Sequence, residues 1–380
     1  MLLFHQRAVR PWTAAMILTL IWIAACPSAE AAAVPASSAV MPALNDLLKI
    51  DAPLTLFGEQ VPLERPQVRE RYEKELLLAA WDRPQALLWL KRSTRYLPFV
   101  EAQLKARRMP ADLRFLAVAE SALRPHVGSP KGALGFWQLL PDTARRYGLV
   151  VNDRFDERRN VRFSTRAALD YLQELHDRLG SWPLAAAAYN MGEEGLEAEM
   201  LEQGEGDFYA LYLPLETQRF LFRILAAKLI LSDPQRFGFH LSATDFYAPV
   251  ASVGIQIDAF EEVPLSLLAK AAGTDFKTIK DLNPEIRGHY LAVGSRTVQI
   301  PPAGEKGFRQ RYQALLDTHR KDRQQRIYVV QQGDNLTTIA AKFNVPLAAL
   351  IIWNRIDLER PLQPGDRLVI HRRKLPRPKP

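Results

Sequence analysis

A run of about a dozen apolar residues, Ala14 to Ala25, follows the basic residues Arg7 and Arg10. It has the length of a secretory apolar core and is too short to span a bilayer, so residues 1–25 read as a signal peptide. From Ala31 to Pro66 the chain is rich in Ala, Pro and Ser without sustained period, which predicts a tether over 26–67. Between Val68 and Ser232 apolar residues recur at i, i+3, i+4, as in Leu113, Leu116 and Val118 or Leu169, Leu172, Leu175 and Leu179. That period predicts an all-α domain over 68–240. Past Pro234 the period shortens: Ala251, Val253, Ile255 and Ile257 alternate, as do Val298 and Ile300, with helical Leu267-Leu268-Ala269 between them. A small α/β module is expected over 249–302. Residues 303–326, with Arg309, Arg311, Lys321, Arg323 and Arg326, read as a solvated linker helix. Residues 327–371 repeat the small-module pattern, and 372–380 form a basic tail broken by prolines.

Composition narrows the class. With 380 residues, 48% hydrophobic and 24% charged, the chain is too long and apolar to be disordered and has room for two or three domains. The single Cys26 excludes an internal disulfide framework and a cysteine zinc cluster. His5, His126, His176, His240, His289, His319 and His371 show no metal-ligand spacing, and no phosphate-cradling glycine loop occurs. No metal or cofactor is therefore expected. A net charge of +8 is moderate, and an exported protein rarely meets nucleic acid, so the basic tail reads as solvated or drawn to anionic wall polymer and lipid head groups. Two processing routes are open. Ile23-Ala24-Ala25-Cys26 has the form of a bacterial lipobox, which would acylate Cys26 and hold a periplasmic protein on the outer membrane. Ala29-Glu30-Ala31 offers an ordinary cleavage site that would discard Cys26 and free the chain.

The most chemically suggestive segment is Pro110 to Leu123. Pro110 near the start, Asp112 in the first turn and Pro125 beyond the end predict one helix. Leu113, Leu116, Ala117 and Leu123 share a face with Glu120, so its carboxylate is poorly solvated and its pKa should rise. A carboxyl protonated near neutrality can act as the general acid of glycosidic cleavage; the plain alternative is a buried Glu paired with an arginine.

Further motifs decide between them. In the last module Tyr328, Gly333-Asp334, Leu336, Ile339-Ala340, Leu350, Asn354, Pro364-Gly365 and Leu368 stand in a βααβ order that resembles a LysM module. Residues 249–302 carry a looser copy, with Leu282-Asn283-Pro284 and Val298-Gln299-Ile300-Pro301 but no opening Gly-Asp turn. Upstream, Glu120-Ser121, Gly132-Ala133-Leu134-Gly135-Phe136-Trp137-Gln138, Ala187-Ala188-Tyr189-Asn190-Met191-Gly192 and Glu216-Thr217 follow in order. This set resembles the lysozyme-like lytic murein transglycosylases, specifically the membrane-bound type D group, in which a catalytic domain precedes LysM modules.

The resemblance implies a lysozyme-like all-α catalytic domain and peptidoglycan strands as partner. It implies Glu120 as sole acid/base, cleaving the β-1,4 bond between N-acetylmuramic acid and N-acetylglucosamine to leave a 1,6-anhydro sugar. Ser121, Gln138, Tyr189 and Asn190 match sugar-binding positions, with Tyr189 the expected partner of Glu120. The LysM modules imply affinity for N-acetylglucosamine glycans, although Gly333, Asp334 and Asn354 themselves read as turn and cap residues. One departure stands out: Phe220 occupies the place of a tyrosine in the family's motif. Two other readings follow from the same residues, a hydrolytic muramidase using Glu193, Glu194 or Glu216 as second carboxylate, and a non-catalytic scaffold.

Overall fold

The computed structural model describes residues 43–50, 52–324 and 327–371; the signal peptide, Cys26 and the basic tail lie outside them. The chain enters through a short helix, α1 (Leu44–Leu47), and a two-stranded hairpin, β1 (Thr55–Leu56) and β2 (Glu59–Gln60). This corrects the expected tether to residue 67. Leu47, Leu56, Phe57, Val61 and Leu63 are buried in the helical core, while Phe57 N donates to Asp112 Oδ2 (2.9 Å) and Trp182 N to Glu59 Oε1 (2.9 Å). Apolar residues spaced by prolines and a hairpin give no single period, so the strap was invisible to a periodicity test.

The helices follow: α2 (Pro66–Trp81), α3 (Arg83–Arg107), α4 (Leu116–Ser121), α5 (Pro141–Arg146), α6 (Val161–Leu179), α7 (Trp182–Met191), α8 (Glu193–Gln203) and α9 (Leu215–Ser232). Their ends are chemically marked. The Asp82 side chain accepts from Gln85 N at the start of α3, Asn160 accepts from Arg162 N and Phe163 N at the start of α6, and Gly180 closes α6 at φ +73°. Ala185 to Ala188, all buried, let α7 lie close against α6 and α9. The segment from Pro110 to Leu123 is not one helix: a 3₁₀ turn over Ala111–Phe115 feeds α4, and the chain reverses at Ala122 and Leu123, both at φ above +50°. Glu120 therefore sits on the last turn of a short helix. The Arg92 side chain donates to Ala122 O (3.0 Å) and holds the reversal.

The first small module consists of β3 (Val253–Ala259), β4 (Val263–Pro264), α10 (Leu265–Ala271), α11 (Phe276–Leu282), β5 (Tyr290–Leu291) and β6 (Gly294–Ile300). Strands β3 and β6 are antiparallel with Ile255 opposite Val298, and Ile257, Leu268, Ile279 and Ile300 form its core. Helix α12 (Phe308–Gln324) is not simply solvated: Phe308 and Leu316 join that core, and Arg311 donates to Ala271 O and Gly304 O (2.7 Å each). Its charges gave the reading of a linker, yet only one face is polar. The last module, β7 (Ile327–Val329), α13 (Leu336–Lys342), α14 (Leu347–Asn354) and β8 (Arg367–Val369), has its own small core around Ile339, Leu350 and Leu368.

One asparagine serves each module in the same way. Asn354 Nδ2 donates to Leu350 O and Val369 O (3.0 Å each) while its Oδ1 accepts from Val369 N. Asn283 Nδ2 donates to Ile279 O and Gln299 O (2.8 Å each) and its Oδ1 accepts from Gln299 N. Each side chain staples the end of the second helix to the closing strand. The two modules thus share one arrangement, and the mainly helical domain ahead of them, with its one small hairpin, completes the expected multidomain architecture.

Candidate active site

Glu120 is partly exposed and makes no hydrogen bond or ion pair among the described residues. Its pKa is raised to about 8, chiefly by burial; the Arg223 guanidinium pulls it down and the Glu216 carboxylate pushes it back up. These two neighbours lie two turns apart on α9 and pair with each other through Arg223 NH2 and Glu216 Oε1, so their fields on Glu120 oppose. Arg223 Nε is buried without an acceptor. The sequence reading missed Arg223, which lies seven residues after Glu216 and so on the same side of one helix.

Beside Glu120 runs a tight loop, Gly128 to Leu139, bridged at Gly128–Leu134 and Leu134–Leu139. Gly135, at φ +88°, is required by space as much as by conformation: a Cβ there would lie 2.0 Å from Arg158 O. Arg158 is itself the peg of this loop. Buried with Asp156 (NH2 to Oδ2, 2.8 Å), it donates from NH1 to Gly132 O (2.8 Å) and Leu139 O (3.1 Å). Gln138, at φ +50°, turns its amide back so that Nε2 donates to Val127 O (2.8 Å) and Gly135 O (2.7 Å). Its Oε1 is left as the group able to meet a ligand.

The expected sugar-binding residues divide. Ser121 is 2% exposed, and its hydroxyl is used by the backbone: it bonds Ala117 O (3.1 Å) and Phe136 O (2.7 Å) and accepts from Arg124 N. It fastens α4 to the loop. Tyr189 is not hydrogen-bonded to Glu120; its hydroxyl donates to Trp137 O (2.7 Å), and Trp137 Nε1 in turn donates to Thr165 Oγ1 (2.9 Å). Tyr189 is nonetheless close enough for Glu120 to help raise its pKa, after burial. The expected direct hydrogen bond gives way to a hold on the loop backbone. Asn190 Oδ1 accepts from the buried Thr217 Oγ1 (2.9 Å), linking α7 to α9. Phe220 is 1% exposed, a core residue.

From Tyr189 a row of rings leads outward, with Tyr171 5.3 Å from Tyr189 and Tyr147 5.2 Å from Tyr171 between centroids. Arg146 lies over the outer two and donates to Glu193 Oε1 (2.7 Å), whose Oε2 accepts from Tyr171 OH (2.6 Å). Burial raises the Glu193 pKa, but the Tyr171 hydroxyl and Arg146 outweigh it and hold the group ionised. Glu194 is exposed at the start of α8.

The loop after α5 ties this site to the first small module. Asp156 N donates to Glu285 O and Arg287 N to Arg154 O (2.8 Å each), making an antiparallel bridge between Phe155 and Ile286. Asn160 Nδ2 donates to Glu285 Oε2 (2.9 Å), and the Arg296 guanidinium lies 3.7 Å from the Phe155 ring centre. Phe155 is buried in the module's core, next in the chain to Asp156 and three residues before the Arg158 that pegs the active-site loop.

Comparison with known proteins agrees with this arrangement. Residues 98–211 match the transglycosylase SLT domain, and 265–299 and 328–371 each match the LysM domain. The fold and site thus define a transglycosylase domain followed by two LysM domains. Over 321 residues the chain is 32% identical to the membrane-bound lytic murein transglycosylase D of Escherichia coli strain K12, covering 81% of this chain and 69% of that protein. The protein of the same name from Escherichia coli O6:H1 (strain CFT073) matches equally. The chain belongs to the membrane-bound lytic murein transglycosylase D family. The crystal structure of the 70 kDa soluble lytic transglycosylase of Escherichia coli aligns with a TM-score of 0.35 and 19% identity, over 48% of this chain and 32% of that one.

Proposed function

We propose that this protein is a peptidoglycan lytic transglycosylase in which Glu120 is the only acid/base. The observation that carries the reading is the state of Glu120: a carboxyl with no ion pair, partly open to solvent and protonated at neutral pH. It delivers its proton to the glycosidic oxygen as the bond to C1 of the muramoyl residue breaks. As a carboxylate it then takes the proton of that residue's C6 hydroxyl, whose oxygen closes on C1. One bond breaks and one forms, the proton returns to Glu120, and no water is consumed. Gln138 Oε1 offers an acceptor to a sugar hydroxyl or acetamide N–H beside it. Ser121, Tyr189 and Asn190 act by positioning the loop, α7 and α9.

The disposition of the other carboxylates favours this over the muramidase reading. Glu193 is held by Tyr171 and Arg146 and Glu216 pairs with Arg223, which leaves the exposed Glu194 as the carboxylate a muramidase would have to use. The scaffold reading rested on Phe220, which is buried among core residues. In this proposal the last LysM module holds N-acetylglucosamine-containing glycan, and attachment to a membrane in the periplasm follows from the lipobox ending at Cys26, with the outer membrane as its site.

Mass spectrometry of the products released from purified sacculi tests the reading. Muropeptides ending in the anhydro sugar, absent when Glu120→Gln is used, are expected. Hydrolysed reducing ends would replace the transglycosylase with the muramidase, and sedimentation with sacculi without release would leave only the scaffold.

A further inference from the structure

Where the catalytic domain meets the first LysM module, the described residues line an open cavity of about 200 Å3. Tyr96, Phe99 and Pro284 give it apolar walls, and Arg95, Arg159 and Arg162 give it a cationic side. Among the described residues none of these arginines has a carboxylate within ion-pairing distance. Arg95 Nε donates to Ala248 O (3.0 Å), and the Arg162 guanidinium lies 5.3 Å from the Phe99 ring centre. The Arg159 side chain makes no hydrogen bond to the described residues, and its Nε is shut off from solvent without an acceptor. Asp281, the one acid in the wall, is committed to Lys277. The field is felt nearby: after burial, Arg159 is the next cause that lowers the pKa values of both His126 and Lys280.

A buried guanidinium N–H without an acceptor is costly, and it is costly in a way that an anion would relieve. The planar fork of arginine suits carboxylate and phosphate. The cavity has room for about one amino-acid residue, with apolar walls for its methylenes. It also adjoins the reaction centre through the chain itself. His126 lines the cavity, and the next residue, Val127, offers the carbonyl that holds the Gln138 amide. The sugar rings of a glycan strand supply hydroxyl and acetamido groups; in intact peptidoglycan the lactyl carboxyl of each muramic acid is tied up as an amide, and the free carboxylates are carried by the peptides hung on it.

We infer that this interdomain cavity receives a carboxylate of the peptide stem, with Arg159 and Arg162 as its ligands, so that the enzyme reads peptide as well as sugar. The inference rests on the peptidoglycan substrate proposed above. It deepens that reading by assigning substrate selectivity to the junction between the two domains and not to the LysM groove.

The full chain is assayed on intact sacculi and on the same glycan strands stripped of peptide by an amidase, whose cut leaves only the lactyl carboxylate close against each muramic acid ring and none at the reach of the peptide. The expected kcat/KM is about tenfold higher on peptide-bearing strands, the scale of one charge-assisted hydrogen bond. Arg159→Gln and Arg162→Gln should each erase that difference through KM while cleaving stripped strands as the parent does, and Arg159→Lys should keep part of it. Arg162 is exposed, so its variant reads the same quantity even where Arg159→Gln perturbs folding. Equal rates of the parent on both substrates, or variants losing equally on both, would overturn the inference. Inhibition by inorganic phosphate without discrimination by peptide would reassign the cavity to a phosphate and overturn it too. Cleavage of neither substrate would instead strike the peptidoglycan reading itself.

Discussion

Replacing Glu120 by Gln should stabilise the protein, and by an amount that depends on pH in one direction only. The Glu120 pKa is about 8 in the folded chain against an ordinary value of 4.5. Below pH 4.5 the carboxyl is protonated in both folded and unfolded chains, and the side chain contributes no pH-dependent term. Between 4.5 and 8 the unfolded chain releases the proton and the folded chain keeps it, so stability falls as pH rises and levels off above 8. A displacement of that size corresponds to a loss of about 5 kcal/mol above pH 8 and about 3 kcal/mol at pH 7, at 1.36 kcal/mol per pH unit. Gln, neutral at every pH and nearly isosteric, escapes the loss. Thermal melts of parent and variant followed from pH 4 to 9 should therefore coincide at the acid end and diverge through neutrality. The variant should lead by roughly 5 °C or more at pH 7, on the usual relation of stability to melting temperature. A difference in Tm that does not change with pH, or a parent more stable than the variant at pH 9, would refute the assignment of a buried protonated acid. The same pKa sets the activity: kcat/KM should be level below about pH 8 and fall above it as the general acid is lost.

Three further outcomes follow from named contacts. Gly135→Ala places a Cβ 2.0 Å from Arg158 O at φ +88°, so it should cost more than about 3 kcal/mol and displace Gln138, read as a lowered Tm with lost cleavage. Glu193→Gln should keep kcat within about threefold in a product-release assay, because Glu193 braces Tyr171 and Arg146 and performs no chemistry; a loss of about a thousandfold would revive the muramidase. Asn354→Ala removes three hydrogen bonds from the last module and should lower its stability by about 2–4 kcal/mol, seen in calorimetry as an earlier separate transition with the main one unmoved.

The helical domain, the two βααβ modules and the importance of Glu120 were legible because each rests on local pattern: a 3.6 period, alternation with turn residues, and a carboxylate on an apolar face. What escaped the sequence depends on distant partners. The strap ahead of α2 carries its apolar residues at irregular intervals that make sense only against the helical core they join. The helix expected from Pro110 to Leu123 is broken by tertiary contacts, Arg92 to Ala122 O and Ser121 to Phe136 O, that local propensity cannot register. For the same reason Ser121 and Tyr189 looked like ligand-facing polar groups. A hydroxyl is equally suited to a sugar or to a backbone carbonyl, and only the fold reveals which acceptor is in reach. Asn283 and Asn354 show the opposite case, where a turn residue keeps its fold-building role in both copies although the surrounding motif has drifted.

The burial of Phe155 in the core of the first LysM module bears on how this chain can be cut and how it comes apart. A protein ending at residue 240 would retain every residue proposed for the chemistry yet leave Phe155 in water and the loop carrying Arg158 without the backbone partners Glu285 and Arg287. Such a fragment should be salt-sensitive, prone to associate and easily nicked by proteases between Val151 and Asn160. The unit that folds cooperatively therefore runs past the boundary a motif search would draw, to the end of α12. The last module has its own core and meets the first through Arg355, which pairs with Glu262 and lies 4.3 Å from the Tyr290 ring centre, so it can be exchanged at the cost of those contacts.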